Sequence, residues 1–258
     1  MTLVAVLSVK GAPGVTTLSC LLATAWRGPG PVAVVEADPA GGDLAARFGL
    51  SAMLGQASLS AAVRRGGSDV RLEPHLQRLP GGLDVLVGGG PGEGPEPAVI
   101  EAVARAWSGG LAVVDLGRVA GSPAPAWLAR CDHSLLLCAG DPAGALHVRT
   151  HAPGLLDATD GRLGVVVVGR GAHDSAEVGR FAGIRPAGDL PFDPAAAAVA
   201  SGASGAGRRL ERSGLLAAVR RLAGQLGPYA SDEAAAPAAD RDQVPDGPVP
   251  VRPGAGVR

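Results

Sequence analysis

The sequence has almost no lysine and no asparagine, and these absences bear on what the chain binds. Lys10 is the single lysine among 258 residues, and every other basic residue is arginine. Lys and Arg together number 23 against 24 Asp and Glu, so the formal net charge is −1. No global basic field therefore attracts nucleic acid or anionic lipid. Against this arginine bias the one remaining lysine is informative, whereas the missing asparagine is less so.

Cysteines and long apolar runs are also scarce. Cys20, Cys131 and Cys138 lie in apolar surroundings, and their odd number indicates a reduced protein with buried thiols, a Cys131–Cys138 disulfide being the weaker alternative. No apolar run approaches the roughly 20 residues of a membrane helix. The first residues, MTLVAVLSV, lack the basic region of a signal peptide. We expect a cytoplasmic protein with no integral membrane segment, and peripheral attachment to membrane or nucleoid stays open.

What the sequence does contain is a regular alternation of apolar runs and helix-like stretches. The runs are short and bounded by turn residues, and they do not alternate with polar residues, as in parallel strands buried on both faces. The strand candidates are Leu3–Val9, Pro31–Asp38, Leu83–Gly88, Leu111–Gly117, His133–Ala139, Leu163–Gly169 and Ala187–Asp193. The helix candidates between them are Thr16–Trp26, Gly42–Phe48, Pro97–Trp107, Pro123–Arg130 and Ala143–Leu156. This order predicts an α/β fold with a doubly wound, mostly parallel sheet flanked by helices.

The C-terminal part changes character twice. Arg208–Leu226 has apolar residues at helical spacing, which predicts a closing helix packed on the sheet, with a basic amphipathic membrane anchor as the alternative. After Tyr229 the chain is rich in Pro, Ala, Gly and acidic residues. We therefore predict one domain over residues 1–228 and a disordered tail over residues 229–258.

The stretch SVKGAPGVTT, Ser8–Thr17, joins the first strand to the first helix and has the composition of a phosphate-binding loop. In such loops glycines bring backbone N–H groups close to phosphate oxygens, and the next helix offers its N-terminal dipole. A lysine usually reaches the β- and γ-phosphates, and a Ser or Thr hydroxyl binds Mg²⁺. Here Val15 occupies the usual position of that lysine.

The stretch resembles the deviant Walker A loop of the ParA/MinD family of P-loop ATPases, K-G-G-x-G-K-[ST]-[ST]. In this comparison Lys10 is the signature lysine, Gly11, Gly14, Thr16 and Thr17 match, Ala12 replaces a glycine, and Val15 replaces the phosphate-binding lysine. The resemblance extends in order over roughly residues 1–226. VVEADPAGGDL, Val34–Leu44, resembles the second-strand motif, and LAVVDLG, Leu111–Gly117, resembles the Walker B strand.

Two further segments complete the resemblance. GVVVVGR, Gly164–Arg170, stands where the family often has V-N-R, with Gly169 in place of the asparagine that reads adenine. DLPFDPAAAAVASG, Asp189–Gly202, resembles the segment whose backbone lines the base. The resemblance implies catalytic roles for Lys10, Asp38 and Asp115, with Mg²⁺ held by Thr16, Asp38 and Asp115, and Glu36 stands where another acid is usual. The implied nucleotide contacts are Lys10, Gly11, Ala12, Pro13, Gly14, Val15, Thr16, Thr17, Gly117, Arg170 and Pro191.

The resemblance implies a switch that binds ATP and Mg²⁺, forms a nucleotide-dependent homodimer and positions a cargo. The cargo would be a chromosome locus, a division component, or a pilus or secretion machine, recognised through an unidentified protein partner. Because Val15 supplies no charge, ATP hydrolysis is left undecided. The alternative is a pseudo-ATPase adaptor of the same fold that binds a partner protein with little or no hydrolysis.

Three weaker patterns have mainly structural interpretations. His147 and His151 are four residues apart on a predicted helix but lack the third ligand of a metal site, which favours a solvated helix face. GGGPGEG, Gly88–Gly94, lacks the spacing of a dinucleotide fingerprint and is predicted to be a loop that borders the site. Arginine pairs such as Arg64 and Arg65 predict a solvated surface, with non-specific DNA binding as the alternative.

Overall fold

Eight strands form one sheet in the computed structural model, which describes residues 2–10, 14–66, 70–89, 97–106, 109–119, 125–200, 202 and 207–226. The strands are β1 Thr2–Ser8, β2 Val32–Glu36, β3 Gln77–Arg78, β4 Asp84–Leu86, β5 Leu111–Arg118, β6 His133–Ala139, β7 Leu163–Val168 and β8 Arg185–Leu190. Their order across the sheet is β3-β4-β2-β5-β1-β6-β7-β8. Only the β3–β4 pair among these strands is antiparallel, so the predicted mostly parallel, doubly wound sheet is confirmed.

Helices cover both faces of this sheet. They are α1 Val15–Ala25, α2 Leu44–Phe48, α3 Gln56–Gly66, α4 Pro97–Ala106, α5 Pro125–Leu128, α6 Pro142–Ala158, α7 Ser175–Ala182, α8 Pro194–Ala200, α9 Gly207–Glu211 and α10 Gly214–Gln225, and a short 3₁₀ turn spans Glu73–His75. The sequence predictions missed α3, α7, α8 and the two-residue strand β3. The other elements lie within a few residues of their predicted bounds.

The central strands are buried on both faces because successive side chains point to opposite sides of a sheet. One buried cluster takes Leu3, Ala5 and Leu7 from β1 together with residues of α3, α4, α6 and α7. The other takes Val4 and Val6 together with residues of α1, α8 and α10. This explains why the strand sequences are continuous apolar runs without polar alternation.

The closing segment is two helices rather than the single helix predicted for Arg208–Leu226. Ser213 separates them, because its hydroxyl accepts a 3.1 Å hydrogen bond from the Leu216 N–H and so caps the start of α10. The apolar residues of α10, including Leu215 and Leu222, are buried in the same cluster as α1. The packed-helix interpretation is therefore confirmed, and the apolar face that a membrane anchor would need lies in the core.

The structure bears on two further predictions, those on the cysteines and on membrane helices, while two others fall on residues that it does not describe. Cys20, Cys131 and Cys138 are all buried free thiols. Within the described residues, no helix is both long enough and apolar enough to cross a membrane. The predicted tail over 229–258 and most of the GGGPGEG loop fall outside the described residues.

Candidate functional site

The N-terminus of α1 lies at the end of the central strand β1, where the sequence predicts a phosphate loop. Gly11, Ala12 and Pro13 fall outside the described residues, but the two ends of the loop are described. Gly14 has φ +107° and occupies the N-cap position of α1, so a left-handed backbone requires glycine there. The loop therefore leads directly into a helix N-terminus, the geometry that favours anion binding.

Val15 and Thr16, the first residues of α1, point to different surroundings. Val15 is 6% exposed and belongs to the same buried cluster as Leu18 and Leu21, so any contact it makes with a ligand would come from its backbone. The Thr16 side chain instead lies close to Asp115 on β5 and is one of the influences that lower the pKa of that carboxyl group. The position that normally holds a phosphate-binding lysine is thus part of the core, while the hydroxyl position faces a carboxylate.

Asp115 and Asp38 come together at the carboxyl ends of β5 and β2. Asp115 is 1% exposed, and its Oδ1 accepts a 3.0 Å hydrogen bond from the Gly117 N–H. Asp38 Oδ1 accepts a 2.8 Å bond from the Ala40 N–H. A β-carbon built on Gly117, whose φ is +54°, would lie 1.9 Å from Asp38 Oδ2. Glycine at 117 is therefore required both by the backbone and by the close approach of Asp38.

The electrostatic surroundings of these carboxyl groups disfavour their charged forms. The pKa of Asp115 is raised to about 7, chiefly by burial and also by the charges of Glu36 and Asp38, while hydrogen bonds from Thr16 and the Gly117 N–H act in the opposite direction. Burial also raises the pKa of Asp38, against the hydrogen bond from Ala40. None of the ion pairs formed within the described residues involves Glu36, Asp38 or Asp115. Within the described residues several acidic groups thus meet without forming an ion pair.

Glu36 has a structural role in this arrangement. Its Oε1 accepts a 2.9 Å hydrogen bond from the Leu44 N–H at the start of α2, and its Oε2 accepts a 2.9 Å bond from the Gly88 N–H after β4. A β-carbon on Gly42 would lie 1.9 Å from the Glu36 carboxyl carbon. Glu36 therefore holds the loop that carries Asp38 in place, which sequence reasoning did not distinguish from a direct role.

The donors of Thr16, Asp38 and Asp115 are all oxygen atoms, which suit a hard divalent cation better than a softer metal. Within the described residues no group of three or more His, Cys, Asp or Glu is arranged to hold a metal ion by itself. Mg²⁺ does not need such a cage, since it keeps several waters and commonly binds through one or two carboxylates plus substrate phosphates. The Thr16 hydroxyl beside the buried Asp115 carboxyl fits that mode of binding.

A cavity of about 280 Å³ opens beside α1, on the side of strands β6, β7 and β8. Its walls are mainly apolar and come from α1, from the ends of β6, β7 and β8, and from α8 and α10. They include Leu18, Leu21, Leu137, Val168, Pro191, Phe192, Ala197 and Leu215. Pro191, which the resemblance implies as a nucleotide contact, is one of these lining residues. Arg170 is exposed on the loop after β7 and does not line the cavity.

Comparison with known proteins rests on structure, since no family model and no curated protein matches this sequence. A ParA family ATPase from Chlorobium tepidum TLS superposes with a TM-score of 0.70 at 17% identity, covering 88% of this chain and 98% of that one. The MinC:MinD cell division protein complex of Aquifex aeolicus gives 0.63 at 18% identity, covering 88% and 95%. The septum site-determining protein MinD of Pyrococcus horikoshii OT3, complexed with Mg-ADP, gives 0.64 at 17% identity, covering 89% and 97%.

The chain has the ParA/MinD fold. The similarity spans nearly all of each compared chain, so the ParA/MinD architecture accounts for the whole described domain rather than for one motif. At identities below a fifth, this similarity is one of fold.

Within this ParA/MinD fold, Lys10 is held by its own chain. Its Nζ lies 3.0 Å from Nε2 of His147 on α6, and His147 O in turn lies 2.8 Å from Nδ1 of His151. Of the two histidines predicted to form a solvated face, His147 thus contacts the single lysine of the site, and His151 does not. The i, i+4 spacing placed them on one face, but no sequence signal connected them to residue 10.

Proposed function

We propose that the chain is a ParA/MinD-like switch that binds ATP with Mg²⁺, dimerises in the nucleotide-bound state and positions a cellular cargo. The observation that carries this proposal is the meeting of Thr16, at the N-terminus of α1, with the buried Asp115 carboxyl that no protein cation pairs within the described residues. A nucleotide-bound cation is the ligand that such an arrangement of oxygen donors fits.

Two regions of the chain would bind the nucleotide, one at its metal ion and the other at its base. Thr16 and, through water, Asp115 would hold Mg²⁺, and Asp38 would orient a water molecule near the terminal phosphate. When bound, the metal would neutralise charge on the phosphates and so favour phosphoryl transfer. The apolar cavity beside Leu18 and Leu21 would enclose the base, since ligand pockets are mostly apolar with a few polar groups.

We include dimerisation in this function because Lys10 matches the signature lysine of the ParA/MinD loop, which acts across a dimer on the partner's nucleotide. The solved structures of similar fold include a MinC:MinD complex, which supports binding to a partner protein as well. We infer that nucleotide affinity depends on dimer formation. Titrating labelled ATP at protein concentrations below and above the dimerisation range tests this, and Lys10→Ala should abolish the dimer-linked component. Equal affinities at both concentrations would contradict it.

A second function is favoured by the burial of Val15, which removes a charged phosphate contact. In that case the chain is an adaptor that keeps the fold and binds a partner protein with little or no hydrolysis. Thermal unfolding with ATP, with and without Mg²⁺, separates the two functions. A stabilisation by ATP that requires Mg²⁺ supports the switch, because a ligand that binds only the folded state raises its stability. No stabilisation under either condition supports the adaptor.

A further inference from the structure

Strand β5 contains one extra residue next to the predicted phosphate loop. Val6 of β1 pairs with Asp115, but Ser8 pairs with Arg118, so β5 advances three residues while β1 advances two. The irregularity includes Gly117, whose φ of +54° is the left-handed conformation typical of one kind of bulge. Bulges re-aim the side chains that follow them.

The bulge decides which face of the sheet Arg118 occupies. Leu116 packs in the cluster with Ala5 and Leu7, and in a regular strand residue 118 would follow it to that face. Instead Val119 packs against that cluster, while Arg118 pairs with Ser8. Ser8 follows Val6 onto the face that carries α1, the face on which Asp115 meets Thr16. The extra residue therefore brings Arg118 to the side of the sheet that carries the phosphate loop.

Arg118 is exposed and close to the acidic groups of the site. The Asp38 carboxylate lies against Gly117, which is the residue immediately before Arg118. The pKa of Asp38 is raised chiefly by burial, and the positive charge of Arg118 is one of the influences that lower it, which is consistent with a guanidinium near that carboxyl group.

Lys10 and Arg47, two other cations of the neighbourhood, have side-chain partners, whereas Arg118 has none in the described part of the chain. Lys10 is bonded to His147, and Arg47 pairs with Asp43. No hydrogen bond or ion pair of the Arg118 guanidinium is formed within the described residues. An exposed guanidinium with no hydrogen-bond or ion-pair partner among the described residues therefore stands beside a site whose usual in-cis cation is replaced by Val15.

We propose that Arg118 binds the nucleotide's β- or γ-phosphate from within the same subunit, supplying the charge that Val15 does not. This inference rests on the proposed nucleotide-binding function. A guanidinium suits the task because its planar donors match phosphate oxygens in pairs and it stays charged at any physiological pH. Arg118 is a phosphate-binding residue in this account, and it leaves Lys10 free to act across a dimer.

The test measures dissociation constants for ATP, ADP and adenosine on the full chain with Mg²⁺. Arg118→Gln removes the charge with little change in shape, and we expect ATP binding to weaken on the order of tenfold to a hundredfold, the range of charged hydrogen bonds. Adenosine binding should not change. Arg118→Lys should recover part of the loss. Arg27→Gln removes an exposed arginine beyond the far end of α1 and should leave all three constants unchanged.

The outcomes separate this inference from the proposed function. If the wild-type chain binds neither ATP nor ADP, the proposed function is wrong, and Arg118 has no phosphate to bind. If the wild type binds ATP and Arg118→Gln binds it equally well, only the inference about Arg118 is overturned. An equal loss for ATP and adenosine would also overturn it, because that loss would reflect a general structural effect. Thermal unfolding of each variant without ligand shows whether its fold is intact.

Discussion

Lys10 and His147 are separated by 137 residues in sequence, yet the lysine Nζ lies 3.0 Å from the histidine Nε2. Lysine has donors and no acceptor, so the ammonium group donates and the imidazole accepts, which it can do only in its neutral form. The single lysine of the chain is therefore restrained on its own subunit. To reach a partner's phosphates it must first leave His147.

Replacing His147 by alanine should favour the nucleotide-bound dimer. The hydrogen bond that restrains Lys10 contributes about 0.5–1.5 kcal/mol, so its loss should strengthen ATP-driven dimerisation roughly twofold to tenfold. Sedimentation or light scattering across a protein titration with ATP and Mg²⁺ measures this. His151→Ala is the matched control, since His151 contacts the His147 carbonyl and not Lys10. Weaker dimerisation in His147→Ala would show that the contact supports the dimer.

Gly117→Ala should displace Asp38 as well as strain the backbone. The left-handed φ alone costs an alanine about 1–2 kcal/mol, and here the new methyl group would also meet the Asp38 carboxylate. Gly183→Ala is the control, because Gly183 has φ +70° and nothing within 4 Å of the new β-carbon. We expect Gly117→Ala to lose more stability in denaturant unfolding and to lose ATP binding, and Gly183→Ala to show the backbone cost alone. Equal losses in both would argue against the contact with Asp38.

Asp115→Asn should stabilise the ligand-free protein while removing its response to Mg²⁺. Burial raises the folded-state pKa of Asp115 to about 7, above its usual value of 3.8. Folding therefore disfavours the charged carboxylate of Asp115. The free energy of unfolding falls as pH rises from the unfolded-state pKa to the folded-state pKa, and this fall is complete above the folded-state pKa. Thermal unfolding at pH 8 should therefore give a higher Tm for the variant without ligand. A lower Tm would mean that the carboxylate stabilises the fold.

Phe192→Ala should weaken nucleotide binding through the base. Phe192 lines the apolar cavity and is 65% exposed, so its ring is available to a ligand. Stacking of a base on an aromatic ring contributes about 1–3 kcal/mol, which corresponds to a loss of roughly fivefold to a hundredfold in ATP affinity. Met53→Ala removes another exposed apolar side chain, 79% exposed and outside this cavity, and should have no effect. Tripolyphosphate binding should be equal in both variants.

The central strands and α1 could be predicted from sequence because their signals are local. Continuous Val- and Leu-rich runs such as β5 and β7 indicate strands buried on both faces, and the structure confirms them. The missed helix α3 has only a few buried positions, Gln56, Leu59 and Val63, so its apolar pattern is sparse. The break between α9 and α10 depends on Ser213, a capping residue inside an otherwise continuous helical pattern.

The site could be predicted only in part, because several of its contacts join distant segments. Asp38, Asp115 and Thr16 follow from motif order, and the structure brings them together. Motif order predicts neither the contact between Lys10 and His147 nor the placement of Arg118. The first is a long-range contact, and the second depends on one extra residue in β5, which no sequence period reveals.

The most direct test of the account is calorimetric titration of ATP into the wild-type chain and Thr16→Ala, each with and without Mg²⁺. The account predicts that the wild type binds ATP only weakly without Mg²⁺ and substantially more tightly with it. It also predicts that Thr16→Ala loses this difference, because Thr16 is the hydroxyl that meets Asp115. Wild-type protein that binds no ATP in the presence of Mg²⁺, or binds it equally with and without the metal, would contradict the account.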